Sequence, residues 1–188
     1  MTAFDYLSVL LSIVLGLAIT QLLAGFAGMV RARDRMAMYW PVPVQMAAVF
    51  LITVQVWWAL FGLHNARDWT FGHFLIVLMQ PVSLYLMAAI ITPDLSGEGP
   101  FDLRALYFRE RVWYFSAILF AVAVSLAKNF VVNPGPPRAT DMAGHAVFAS
   151  MALAGIVFRG DLAHKIIAPL SLFAYAAYIA LLFVQMPS

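Results

Sequence analysis

Asp141 and His145 stand four positions apart, so on a helix they share one face and a carboxylate meets an imidazole. A pairing of this kind fixes which ring nitrogen carries the proton, as the partners of working histidines do. By the topology argued below, the same membrane boundary also gathers Asp5, His64, Arg67, Asp68, His73, Lys128 and Asn129. Three chemistries suit such a group. The first is a set of interfacial ion pairs, Lys128 with Asp141 and Arg67 with Asp5 or Asp68. The second is a vestibule that collects ions or protons for a path inward. The third is a haem or metal site drawn from His64, His73 and His145, and it ranks last because no HExxH-type spacing occurs.

A second polar spot is Gln80-Pro81, near the middle of a long apolar segment. Proline removes one N–H and frees the carbonyl a turn earlier, at Val77, while glutamine adds an amide with two donors and an acceptor. Polar groups at bilayer depth are costly unless satisfied, so the pair is expected to face other helices rather than lipid. Broken helices of this type line substrate paths in transporters. Gln21 falls at a similar depth, and Gln55 shares a helix face with Trp58 three positions on. These residues, with Asp141, His145 and His73, are the candidate binding or pathway set. The simpler alternative is that Pro81 bends its helix and Gln80 bonds a neighbour.

Other chemistries find little support. Phosphoryl transfer wants a glycine-rich cradle with lysine, and acyl transfer wants Ser or Cys beside a His and a carboxylate; no linear motif of either kind is present. An intramembrane hydrolase would have to be built on Asp141 and His145. The chain has no cysteine, which excludes disulfides, thiolate catalysis and iron–sulfur clusters. No cofactor is expected. Nucleic-acid binding is not expected either, because no stripe of Lys and Arg with interleaved aromatics occurs outside the apolar segments.

The elements that must position these residues are membrane helices. Hydrophobic residues make up 64% of the chain and charged ones 11%, far below the usual quarter, and the mean hydropathy is +0.89. Six apolar segments can be drawn, about 5–30, 39–63, 71–92, 112–132, 141–158 and 166–186. They predict an all-α bundle of six transmembrane helices filling 1–188 as a single domain. The fifth segment is the weakest, so the alternative is five spans with the fifth re-entrant or tilted. A short interfacial helix is expected around Phe101–Glu110, with Tyr107, Phe108 and Trp113 at headgroup level. Asn133-Pro-Gly-Pro-Pro137 is a breaker and Arg159-Gly-Asp161 starts the last turn.

Charge sets the orientation. Arg31, Arg33, Arg35, Arg104, Arg109, Arg111, Arg159 and Lys165 fall on one side, against Arg67, Lys128 and Arg138 on the other, eight to three. The first side is expected to be cytoplasmic, with both termini non-cytoplasmic, in a cell inner membrane. The basic residues also offer anionic lipid headgroups a partner.

The first segment carries one more signal. From Tyr6 to Val30 it runs twenty-five residues without a charge, and small residues recur every fourth position at Ser8, Ser12, Gly16, Thr20, Ala24 and Gly28. Small residues let backbones approach in lipid, where little else holds helices together, so this seam is expected to pack against another helix within the bundle or across an oligomer. The resulting expectation is a transport or channel-type membrane protein that oligomerises through helix one. The competing one is a non-transporting scaffold or accessory subunit of a larger membrane complex.

Overall fold

The computed structural model describes residues 3–65, 69–95, 97, 100–132 and 138–182. Helix α1 spans Ala3–Arg31, and a 3-10 turn at Arg33–Arg35 leads into β1, Met36–Ala37. Helix α2 spans Pro41–Leu60 and ends in a 3-10 turn, Phe61–Asn65. Helix α3 spans Phe71–Ile91, β2 Phe101–Asp102, α4 Leu103–Val132, α5 Ala139–Val157 and α6 Asp161–Leu182. Six helices among the described residues are long and apolar enough to cross a membrane. Against the five-span alternative with the fifth segment re-entrant or tilted, α5 is an unbroken helix of 19 residues, long enough for a span.

Local sequence explains where the helices begin. Pro41 opens α2, where its missing N–H costs nothing. The Thr70 hydroxyl accepts the N–H of His73 at 3.2 Å and caps α3. Asp102 Oδ1 accepts the N–H groups of Arg104 and Ala105, at 2.9 and 3.0 Å, and caps α4. The separate interfacial helix expected at Phe101–Glu110 is therefore absorbed into α4, a continuous helix of 30 residues. No glycine or proline between Leu103 and Val132 breaks it, so charge alone did not end the element.

Helix α3 packs against α1, α2 and α4; α5 joins α4 to α6, and α6 returns to α2. The helices thus close a ring in the order α1, α3, α4, α5, α6, α2, with α2 against α3 across it. One end is tied by arginines. There β1 pairs in parallel with β2, Met36 opposite Phe101, and Arg35 donates to the Gly97 carbonyl at 2.8 Å while lying over the Phe101 ring. Arg104 donates to Asp161 at 3.1 Å, and Lys165 pairs with the same carboxylate at 2.6 Å.

Helix α1 turns an unexpected side to the bundle. Its buried residues are Leu11, Leu15, Ala18, Leu22, Gly25 and Met29. Their alternating spacing of four and three keeps a stripe on one face, as in left-handed helix pairs. The small residues every fourth position advance about 40° per step on a helix of 3.6 residues per turn, so they wind around it instead of holding a face. Ser12, Gly16, Thr20 and Ala24 are exposed, Ser8 and Gly28 half-buried, and a methyl group added at Gly16 or Gly28 would meet nothing within 4 Å. The seam is not used inside the bundle. The close approach of α1 occurs at Gly25, where a Cβ would collide with the Thr92 side chain at the end of α3.

Candidate functional site

Two polar clusters and one polar band lie within the helix ring. At the arginine-rich end, α4 aims Tyr107 and Arg111 inward one turn apart. Arg111 is only 8% exposed. Its Nη1 donates to the carbonyls of Gly155, Ile156 and Phe158, at 3.1, 2.8 and 3.2 Å. The first two are carbonyls of the last turn of α5 and the third is that of the residue capping it; they have no partner inside the helix and lie at its negative dipole end. A buried cation is thus satisfied without a carboxylate. His164 on α6 joins the same carbonyl: its Nε2 is 2.9 Å from the Phe158 oxygen, and its Nδ1 is 2.9 Å from the Tyr107 hydroxyl. A carbonyl only accepts, so Nε2 carries the proton and Tyr107 donates to Nδ1. Tyr39, just before α2, packs against Tyr107 and Phe108. Its burial, and then the neighbouring Asp161 carboxylate, push its phenol above the usual range.

Between the two ends lie two separate polar pairs, which together make up the band. Tyr114 on α4 donates to Gln45 Oε1 on α2 at 3.1 Å. On α3, the Ser83 hydroxyl donates to the Gln80 carbonyl at 2.7 Å, three residues before it and beside Pro81. Gln45, Gln80, Pro81 and Ser83 are all buried, but Gln45 Nε2 and Gln80 Oε1 have no hydrogen-bond partner among the described residues. One is a donor and the other an acceptor. Gln55 is buried on α2 and Gln21 half-buried on α1.

No family model, curated protein or solved structure matches this chain.

At the far end of the ring, α4, α5 and α6 bring Asp141, His145 and Asn129 together with two residues not singled out by sequence, Ser125 and Tyr178. Asp141 accepts from Asn129 Nδ2 at 2.6 Å and from the Tyr178 hydroxyl at 2.5 Å. The expected ion pair of Lys128 with Asp141 is replaced by these neutral donors, which reach the carboxylate from a helix either side. His145 is buried, with Nδ1 2.7 Å from the Asp141 carbonyl and Nε2 2.9 Å from Ser125 Oγ. Gly144 makes room for α6 here, since a Cβ on it would lie 2.6 Å from the Tyr178 ring.

The other histidines do not join. His64 is exposed, stacked on Phe61 with Nδ1 2.7 Å from that residue's carbonyl. His73 is half-buried in the first turn of α3. Among the described residues no three of His, Cys, Asp and Glu gather as a metal set. The ion pairs expected of Arg67 with Asp5 or Asp68 involve Arg67 and Asp68, which lie outside the described residues.

Arg111 and His164 were not among the expected site residues. Arg111 read as a loop anchor because it follows Arg109 and Glu110. The signal that places it is helical spacing: Tyr107, Arg111 and Tyr114 recur at four and three, one inward face of α4.

Proposed function

We propose that this chain is a small transport-type protein of a cell inner membrane, with both termini non-cytoplasmic, acting as an oligomer of itself. One observation carries the transport reading: the polar band of Gln45, Tyr114, Gln80 and Ser83 on three adjoining helices, with a free donor at Gln45 and a free acceptor at Gln80. An unpaired buried polar atom costs roughly 1–3 kcal/mol. Groups held at that cost inside the ring, Gln80 midway along α3 and Gln45 in the second turn of α2, are suited to exchange bonds with a small polar solute or ion passing between the helices. The eight-to-three charge bias supports the orientation. The outward Gly16 region of α1 supports assembly, because it leaves backbone open to a second helix.

The test is purified protein in liposomes, assayed for flux across a panel of monovalent ions, protons and small polar solutes. Gln80→Leu is expected to abolish flux without loss of fold, and Gly16→Leu to reduce oligomer size in mild detergent. The competing reading, a non-transporting subunit of a larger complex, draws on a specific feature: Gln80 sits among Val77 and Leu84, both almost completely buried. If folded wild-type protein passes nothing across the panel, the accessory-subunit reading replaces transport.

A further inference from the structure

The far-end cluster has an order that a simple packing contact does not need. Ser125 Oγ is 2.9 Å from His145 Nε2, and His145 Nδ1 is 2.7 Å from the Asp141 carbonyl and 3.5 Å from its carboxylate Oδ1. Both neighbours of Nδ1 are acceptors, so Nδ1 carries the proton and Nε2 turns its lone pair to Ser125, whose hydroxyl donates. The tautomer is set within α5 alone, independently of α4. Asp141 is itself fixed by Asn129 and Tyr178. His145 is 6% exposed, whereas Ser125 is half-buried. This is the arrangement of an activated hydroxyl: nucleophile, base, and a group that orients the base. The three residues are dispersed over two helices, so no linear motif announces them.

We propose that Ser125 is a nucleophile toward carboxylic esters of amphiphilic molecules at the membrane boundary, with His145 as its general base. The Ser125 O–H bond breaks and its proton passes to His145 Nε2 as Oγ bonds the ester carbonyl carbon. The ester C–O bond then breaks, and the departing alcohol takes that proton from Nε2, leaving an acyl-serine. Water, losing its proton to Nε2, attacks the acyl carbon, and Nε2 returns the proton to Ser125 as the carboxylic acid leaves. The imidazolium formed in each half is balanced by the Asp141 carboxylate. Ester reach from the membrane is natural here because the site lies within the last turns of α4 and the first turns of α5.

The full-length protein in liposomes is treated with a fluorophosphonate probe, and the modified residues are mapped by mass spectrometry. The expected result is one adduct, on Ser125, with the other serines of the chain as internal controls. His145→Gln is expected to slow labelling at least a hundredfold, the lower end of what a general base supplies. Ser125→Ala is expected to remove it. Labelling of the wild type decides the matter even if a variant fails to fold, and its slowing by added 4-nitrophenyl esters identifies the ester site. No adduct on Ser125 of folded wild-type protein, under conditions that fully label a soluble serine esterase, overturns the proposal. So does labelling that is equally fast in folded His145→Gln protein. Neither outcome bears on flux through the Gln45 and Gln80 band, which shares no residue with this site.

Discussion

Gly155 on α5 faces the ring of Phe115 on α4, and replacing it with alanine tests whether that contact is as tight as it looks. A Cβ at Gly155 would lie 2.5 Å from the ring's Cε2 and Cζ and 2.6 Å from Cδ1. Carbon atoms rest comfortably at about 3.5–4.0 Å, so the ring or the helix must move by about 1 Å. The ring has little freedom: Phe115 is 1% exposed and is held edge-on to Tyr114 at 5.1 Å, with His164 at 5.8 Å. Overpacking of this kind costs about 1–3 kcal/mol. Alanine returns about 1 kcal/mol of helix propensity, so the net expected loss for Gly155→Ala is about 0–2 kcal/mol, and the loss relative to Gly16→Ala about 1–3 kcal/mol. Gly16→Ala is the internal control, since its added methyl meets nothing within 4 Å. The assay is reversible unfolding in mixed micelles titrated with a denaturing detergent. A second measurement combines Gly155→Ala with Phe115→Leu, which removes the clash and should recover about 1 kcal/mol relative to additivity. If Gly155→Ala is as stable as Gly16→Ala, or the double variant shows no coupling, the close approach of α4 and α5 at this point is wrong.

Two further outcomes are expected. Asp102→Ala removes the acceptor of the Arg104 and Ala105 N–H groups, and should lower stability by about 1 kcal/mol and raise amide exchange in the first turn of α4. Reporter fusions at the C-terminus and in the connection between α3 and α4 should report opposite sides of the membrane, the former non-cytoplasmic; a cytoplasmic C-terminus would refute the orientation.

The spans were legible because lipid imposes one requirement, continuous apolar length, and α1 meets it for twenty-five uncharged residues. The boundaries failed where polarity was mistaken for an ending. Arg104 to Arg111 reads as a loop by charge, but Asp102 caps the start of one long helix and the charges continue it. Which side of α1 meets the bundle was not legible from small residues, since both sides are apolar. The four-and-three spacing of Leu11, Leu15, Ala18, Leu22, Gly25 and Met29 held that information. The i,i+4 relation of Asp141 and His145 was visible within one helix. Their meeting with Ser125 was not, because its partner helix lies across a proline-rich break and no periodicity spans it. His164 escaped notice for the same reason: Tyr107, its partner, is on α4.

The cap that Arg111 lends to α5 has a consequence for how this protein enters its membrane. The most apolar 18-residue stretch of α5 has a mean hydropathy of 1.3, the lowest such value among the six helices, against 2.3 for α1. It carries Asp141 and His145 into the span and leaves three carbonyls at its far turn for α4 to satisfy. Presented alone to lipid, it would bring those costs with no return. Presented beside α4, it finds Arg111 at one end and Ser125 and Asn129 at the other. The consequence expected is that α4 and α5 insert as a hairpin, so that loss of Arg111 should weaken the anchoring of α5 more than a truncation that ends between α5 and α6.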